Sequence, residues 1–358
     1  MDSLTQIVLG AAVGEACLGK KEGNKAPMWG AIAGTIPDLD VIGNIFWGEM
    51  DALIAHRGFS HSLLFCVLAA PLLGRLIHFL YKGRGATRRQ WSYLAFWAFL
   101  THTLLDCFTT WGTQLFYPFS NARIALNSIF VVDPFYTVPF LVCVLVVLFL
   151  KRENRWRRVW NIAGILISSF YLLLTLTNKM VVGEIFTMNL HDDGKSIEQY
   201  STYPTPLNNI LWYVVAKEYK TDRYFLGQYS LLSENQHVTF TEIKGDHNLI
   251  YPHRQDPAVQ TLAWVSENQF AISQQGDQWF WHDLRFGSFE LGIKDSLDLM
   301  NAGFTYELLP DADTTFVEIR RMEPFSQLPN EEGAWAFFRN EIWPGFWENL
   351  KGKPQGGP

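Results

Sequence analysis

The sequence predicts an integral membrane protein: an α-helical bundle of about four full spans and two short N-terminal helices, followed by a β-rich extracytoplasmic domain. Three observations support this. Hydrophobic residues make up 48% of the 358 residues, and the long apolar runs lie almost entirely in the first half. Alternation of apolar and polar residues, typical of half-buried strands, is found in the second half. Basic residues recur in every second loop between the apolar runs. We therefore place a membrane domain at residues 1–180 and a β-rich domain at 184–358.

Two short helices are expected before the first full span. Residues 4–19 are apolar and rich in small residues, and Asp2 stands where a signal peptide would carry a basic segment. This segment is marginal in length for a full span, so we expect a retained helix that packs closely against its neighbours. The second helix, Pro27–Ile36, runs into Pro37-Asp38-Leu39-Asp40, where the proline can end it and two carboxylates follow.

The later apolar runs are long enough to suggest spans, which need roughly 20 residues each. Lys and Arg cluster in three loops, at 20–25, 82–89 and 151–158, and the positive-inside rule makes these loops cytoplasmic. The candidate site residues described next then all lie on the opposite side, facing the periplasm or the outside of an inner membrane. The four predicted spans are Leu63–Tyr81, Trp91–Trp111, Val138–Leu150 (extended backward toward Phe130) and Val159–Thr177.

The densest group of potential ligands is His56-Arg57-Gly58-Phe59-Ser60-His61-Ser62, directly before the first predicted span. Histidine is the commonest metal ligand in proteins. His102 and Asp106 are spaced i, i+4 and share one helix face, and ionisable groups in spans usually face a bundle interior or a wet cavity. These residues also have structural alternatives. His102 and Asp106 could simply hydrogen-bond each other and hold helices together. Asp38, Asp40 and Asp133 could cap helices, since Asp133 directly precedes a helix-opening proline.

Histidine and aspartate ligands without a thiolate suit Zn²⁺, Mn²⁺ or Fe²⁺. We expect a divalent metal, zinc first, with one or two ions, since a two-metal centre can hydrolyse a phosphoester. Asp40 or Asp133 would act as general base, and Arg57 would bind an anionic group such as phosphate or face lipid headgroups. The expected metal ligands are Asp38, Asp40, His56, His61, His102 and Asp106.

These residues carry a family resemblance. Over roughly the first 180 residues the chain resembles the YdjM-like family of bacterial inner-membrane proteins. The resemblance rests on Asp2, the Pro37–Asp40 block, the His56–Ser62 block, His102 with Asp106, and Val132-Asp133-Pro134. The resemblance implies a membrane-bound, metal-dependent hydrolase. A weaker likeness to zinc-dependent phospholipase C proteins implies phosphoester hydrolysis. Family members commonly have His where this chain has Gln6, which implies that one ligand or supporting contact is replaced.

The second half predicts strands rather than a second catalytic site. Alternating segments at His237–Ile243, Gln278–His282 and Thr315–Arg320 indicate strands, with turns at Gly276-Asp277 and Pro310–Asp313. An aromatic tail, Trp335–Trp347, is expected to pack on the strands or lie at the membrane interface. The four cysteines lie in apolar segments without CxxC spacing, which favours structural thiols.

The predicted function is metal-dependent hydrolysis of a lipid or lipid-linked phosphoester at the outer face of the inner membrane. The bilayer and such a substrate are the expected partners, and the absence of a basic face argues against nucleic acid. Two other functions fit the same residues. A metal-ion or proton transporter also needs intramembrane His and Asp, and a non-catalytic scaffold would use the metal to hold the bundle together.

Overall fold

A computed structural model describes residues 1–288, 302–311 and 315–322 of the chain. The chain divides into two compact units, and the division falls between Thr177 and Asn178. The first, which we call the helical unit, contains residues 1–47, 51–177 and 206–208; the second, the β unit, contains 48–50, 178–205 and the residues from 209 on.

The first unit is built from helices. They are α1 (Ser3–Glu22), α2 (Lys25–Thr35), α3 (Glu49–Ala55), α4 (Leu63–Leu80), α5 (Arg88–Asp106), α6 (Pro134–Phe149) and α7 (Arg155–Asp192), with 3-10 helices at Pro37–Ile45 and Phe59–His61. The first two residues of α3 and residues 178–192 of α7 belong to the β unit. Side-chain caps fix several of the starts: Ser62 accepts from the Phe65 N–H at α4, and Thr87 forms a capping box with Gln90 at α5. The site is therefore held by helix ends whose positions the local sequence sets.

Helices α1 and α2 cross at very short range because glycines meet at the crossing. A Cβ atom at Gly30 would overlap the carbonyl oxygen of Gly10, and one at Gly34 would contact the Gln6 carbonyl oxygen at 2.7 Å. Small residues at such crossings allow backbones to approach closely. This close packing places the backbone of α2 beside the end of α5, where the site lies.

The predicted number of spans is wrong. Among the described residues two helices are long and apolar enough to cross a membrane, Leu63–Leu80 and Arg155–Asp192. The run predicted as the second span folds into α5, which carries two arginines, a histidine and an aspartate. The run predicted as the third span forms α6, whose 16 residues measure about 24 Å, less than a hydrocarbon core of about 30 Å. Apolar runs of this length do not distinguish a packed helix from a span.

The protein is thus a mixed helix and sheet fold, with two antiparallel sheets of four strands each in the second unit. The first sheet, in the order β1-β2-β3-β4, consists of Ile197–Pro204, Leu211–Glu218, Arg223–Ser230 and Phe240–Lys244. The second, in the order β5-β6-β7-β8, consists of Phe270–Gln275, Gln278–Ser288, Ala302–Pro310 and Phe316–Arg321. Two short helices, α8 (His247–Ile250) and α9 (Pro257–Val265), lie between them in sequence.

Strand β2 shows how the first sheet is buried on both faces. Trp212, Val214 and Ala216 pack with the C-terminal part of α7, represented by Phe186, in one core. The alternate residues of β2, such as Tyr213, pack in a second core that includes residues of β5 and β6. Because successive side chains of a strand point to opposite faces, this strand reads as a continuous apolar run.

Each of the three predicted strand segments overlaps an observed strand: β4, β6 and β8. The predicted turn at Gly276-Asp277 connects β5 to β6 as a tight hairpin, in which Gln275 pairs with Gln278. The predicted turn at Pro310–Asp313 lies partly, and the aromatic tail wholly, outside the described residues.

Candidate metal centre

Four of the predicted ligands converge in the helical unit: Asp38, His61, His102 and Asp106, which we call the metal cluster. One donor atom from each lies within 4.8 Å of all the others. Asp38 comes from the first turn of the 3-10 helix after α2, and His61 ends the short 3-10 helix before α4. His102 and Asp106 come from the last turn of α5. His61, His102 and Asp106 are buried, whereas the Asp38 side chain is 20% exposed.

The two imidazoles face each other through their Nε2 atoms, which are 3.1 Å apart. Asp38 Oδ1 lies 3.3 Å from Nε2 of His61 and 3.5 Å from Nε2 of His102. Asp106 Oδ2 lies at the same two distances, 3.3 and 3.5 Å, and has no hydrogen-bond partner although it is buried. Two nitrogens and two carboxylate oxygens therefore surround one point.

The hydrogen bonds on the far side of each ring determine what faces that point. His102 Nδ1 lies 2.6 Å from the carbonyl oxygen of Gly34, which can only accept, so Nδ1 carries the proton. His61 Nδ1 faces the Ser60 hydroxyl at 2.9 Å and Asp40 Oδ2 at 3.5 Å, which favours the same tautomer. In neutral imidazoles both Nε2 atoms then present lone pairs. With both imidazoles neutral, the four atoms that surround this point are all acceptors, an arrangement that fits a divalent cation.

Asp40 and His56 lie on the outer side of His61, away from the cluster. Asp40 accepts from the Arg57 N–H at 2.9 Å, and its Oδ1 lies 3.4 Å from His56 Nδ1. Burial raises the pKa of the Asp40 carboxyl, but the hydrogen bond and charge of His56, the charge of His61 and the hydrogen bond from the Arg57 N–H together outweigh burial and lower it. For His56, burial dominates and lowers the pKa below its usual value. The structure thus places Asp40 to orient His61, with His56 as its partner.

Hydrogen bonds also keep Asp38 ionised. Burial raises the pKa of its carboxyl, but the imidazoles of His102 and His61, which donate to it when protonated, together with the charge on His102 outweigh burial and hold the pKa well below its usual range. The group is therefore a carboxylate at neutral pH, as a metal ligand must be.

Arg57 reaches the cluster from a strained backbone position. Its φ of 54° lies in the left-handed region, which is uncommon for a residue other than glycine. The strained turn is held by the Asp40 carboxylate on its N–H and by the Gln114 N–H on its carbonyl oxygen. The buried guanidinium donates from Nη1 to Thr109 at 2.6 Å and lies with Nε 3.5 Å from Asp106 Oδ2. A positive charge is thus fixed beside the cluster.

Gln6 stands on the inner side of Asp106. Its Nε2 donates to Asp106 Oδ1 at 3.0 Å, and its position is fully buried. The α-amino group of Met1 also donates to this oxygen. Gln6 therefore supports a ligand rather than joining the four donors, which agrees with the replacement of one contact that the resemblance implied.

The structure does not bring Asp133 to the cluster. Its Oδ1 caps α6 by accepting from the N–H groups of Phe135 and Tyr136, and its Oδ2 accepts from the Tyr171 hydroxyl at 2.9 Å. Burial raises the pKa of this carboxyl despite those hydrogen bonds. Its contacts are those of a helix cap.

Sequence reasoning missed the residues that hold Arg57. Thr109 accepts from its guanidinium, and Gln114 binds its backbone and also donates to the Ile54 carbonyl oxygen at 2.9 Å. Both follow α5 in an irregular segment, and no spacing rule relates them to Arg57. The only available signal was that polar residues follow directly on the end of an apolar helix.

The fold and site define a class: a mixed helix and sheet protein with two helices, among the described residues, long and apolar enough to cross a membrane and a buried His and Asp cluster suited to a divalent metal. The YdjM inner membrane protein family matches residues 1–182, and the chain belongs to this family.

Two curated proteins are similar to parts of the chain. The uncharacterized protein YfhP of Bacillus subtilis is 25% identical over 219 residues, which cover 55% of this chain and 60% of that protein. The inner membrane protein YbcI of Escherichia coli is 35% identical over 118 residues, which cover 31% of this chain and 66% of YbcI. The chain thus spans less than two thirds of either relative. No solved structure matches it significantly.

Proposed function

We propose that the protein is a membrane-bound, metal-dependent hydrolase that acts on a lipid or a lipid-linked phosphoester. The observation that carries this proposal is the convergence of Asp38, His61, His102 and Asp106 on one point, with the Arg57 guanidinium beside it. A divalent ion held there, zinc in our proposal, would lower the pKa of water and polarise a phosphoryl oxygen.

The chain's own residues would supply binding and orientation. Arg57 is buried, permanently charged and fixed by Thr109, so it is suited to bind a phosphoryl oxygen at the edge of the cluster. Asp40 would hold the His61 ring with Nε2 directed at the cluster. Asp40 is also the carboxylate beside the cluster that is not among its four donors, which makes it the better placed of the two predicted general bases.

The cluster's position supports a substrate in the bilayer. His61 lies two residues before α4, the first helix able to cross a membrane. The cluster would therefore lie near the level of the lipid headgroups. The basic loops at 82–89, after α4, and at 151–158, before α7, support a multi-pass arrangement with this end facing the periplasm. A reporter fused after Pro358 tests the orientation: a signal from the cytoplasm would reverse it.

One observation favours a second function, a scaffold whose metal only holds helices together. Four protein donors fill the tetrahedral shell of a structural zinc site, whereas catalytic sites keep a position for water. Substitution with Co²⁺ separates the two, because the absorption of four-coordinate Co²⁺ is much stronger than that of five- or six-coordinate Co²⁺. A spectrum of the weaker kind, changed by added phosphate, supports the hydrolase, and a strong spectrum unaffected by phosphate supports the scaffold.

The decisive experiment compares metal content and turnover in matched variants. The purified protein in detergent should contain a divalent metal by elemental analysis and hydrolyse at least one member of a panel of phospholipids and lipid-linked phosphates. His102→Ala should lose both properties. His282→Ala, which removes a buried histidine of the β unit, should keep both. Equal metal content in the two variants would refute the site, and metal without turnover of any lipid would refute the hydrolase.

A further inference from the structure

An apolar rim lies beside the metal cluster and has no function in the proposal above. It consists of six exposed side chains: Leu39, Ile42, Phe46, Phe59, Phe116 and Phe119. Phe46 is 81% exposed and Phe119 is 87% exposed, which is unusual for phenylalanine. Exposed apolar side chains grouped on adjoining segments mark a surface that contacts a partner or a membrane.

The rim is built from the segments that carry the ligands. In the 3-10 helix Pro37–Ile45, Asp38 and Asp40 belong to the site while Leu39 and Ile42 are exposed. This helix is tied to the Arg57 turn by the Arg57 N–H, which donates to Asp40. Phe59 lies in the 3-10 helix that ends with His61. The rim and the cluster are thus parts of one local structure.

The rim continues the exposed face of α4. The Leu63 N–H, in the first turn of α4, donates to the Leu115 carbonyl oxygen at 3.0 Å, which fixes Phe116 beside the start of that helix. The Phe59 ring contacts the rings of Phe65 and Tyr117. Further along α4, apolar side chains such as Leu72, at 66%, are exposed in the same way. If lipid covers α4, the same lipid reaches the rim.

Charge distinguishes a lipid from an acidic protein partner. No lysine occurs between residues 26 and 81, and the same is true between 83 and 150. The arginine closest to the rim in sequence, Arg57, is buried, and Arg123 donates to the Trp111 carbonyl oxygen and lies over the Trp111 ring. An aromatic and aliphatic surface without cations suits the boundary between headgroups and acyl chains, where aromatic side chains concentrate.

We propose that the apolar rim inserts into the headgroup–acyl boundary of the bilayer, so that the metal cluster receives its substrate laterally, as a lipid whose chains stay in the membrane. This substrate class rests on the proposed hydrolase function, whereas the insertion itself does not. Insertion through apolar side chains should depend little on anionic lipid, because no cation of the rim attracts it.

Spin labelling tests the insertion without requiring turnover. Nitroxides are placed at Phe46→Cys and Phe119→Cys, with Glu153→Cys as control, in a chain whose partly buried Cys17 is replaced by Ala. Glu153 is exposed in a charged loop. In phosphatidylcholine nanodiscs the two rim labels should collide with oxygen in preference to a water-soluble nickel chelate, and the control label should show the opposite preference. Adding anionic lipid should leave these ratios unchanged.

Two outcomes would overturn the proposal. Rim labels with the control's preference would lie in water, and immobilised labels shielded from both reagents would lie against protein, such as a second copy of the chain.

A kinetic test then addresses the substrate class. The double variant Phe46→Ser, Phe119→Ser should hydrolyse bilayer phospholipid about tenfold more slowly or worse, but a water-soluble phosphodiester at the unmodified rate. Equal losses on both substrates would refute lateral entry, and absence of turnover in the unmodified protein would refute the hydrolase while leaving the labelling result valid.

Discussion

Each unit buries a group of ionisable side chains, and the two groups differ in how completely they are hydrogen-bonded. In the β unit the Arg285 guanidinium donates to both carboxylate oxygens of Asp283, at 3.0 and 2.7 Å, and to Glu267 at 3.2 Å. In the metal cluster Asp106 Oδ2 is buried without a hydrogen bond, 3.3 Å from Nε2 of His61.

Two buried histidines show the same contrast. His282 has a hydroxyl at each ring nitrogen, Ser273 at 2.7 Å and Thr305 at 3.0 Å, and hydroxyls can donate or accept as the ring requires. His102 has a carbonyl oxygen on one side and carboxylates on the other, all of which accept. A polar group whose partners are complementary stabilises a fold. A set of acceptors directed at one another favours a positive charge among them, carried by a metal ion or by a protonated imidazole.

The largest expected effect concerns stability in the β unit. Arg285→Ala leaves the Asp283 carboxylate buried without its partner, so the free energy of unfolding should fall by about 3–5 kcal/mol. Thermal melting followed by circular dichroism in detergent measures this. The double variant Arg285→Met, Asp283→Leu removes both charges and should recover most of the loss, while metal content stays unchanged in both. A loss of metal from either variant would mean that the β-unit network is not purely structural.

The next effect separates a ligand from the residue that orients it. Asp40→Ala removes the carboxylate behind His61 and should weaken metal binding by roughly 10–100-fold, which a chelator competition titration measures. Asp51→Ala, an exposed carboxylate nearby in sequence, is the control and should have no effect. If Asp40→Ala removes the metal as completely as His102→Ala, Asp40 is a ligand, as the sequence predicted.

The smallest effect concerns Asp133, a fully hydrogen-bonded carboxylate in the helical unit. Asp133→Ala removes the α6 cap and should lower the free energy of unfolding by about 1 kcal/mol, whereas Asp133→Asn can still cap and should lower it less.

The pH dependence of stability gives a second test of Asp133. Because burial raises the folded-state pKa of Asp133, wild-type stability should fall as pH rises through the unfolded and then the folded pKa. Asp133→Asn should lack this dependence. Unfolding measured between about pH 4 and neutrality tests this. Lost turnover in Asp133→Asn with metal retained would instead support the predicted general base.

The ligand types and their common location could be predicted from the sequence. The i, i+4 spacing of His102 and Asp106 follows from helix geometry alone, and the metal cluster contains both of these residues and His61 of the His56–Ser62 block. That these residues lie on one side of the membrane was inferred from the alternation of basic loops across four spans, and it stays a prediction. A membrane protein family was recognisable from the same motifs.

Only the tertiary structure decided which of the six candidate ligands meet, and only the observed helix bounds decided how many helices are long and apolar enough to span a membrane. His61 divides the candidates, because one ring nitrogen faces the cluster and the other faces Asp40, and no spacing rule gives the orientation of an imidazole. The same limit applies to Asp133, which satisfies a capping pattern and a catalytic one equally well in sequence. The number of candidate spans was overestimated because an apolar run does not fix where its helix begins and ends: α5 takes in two arginines, and α6 has only 16 residues.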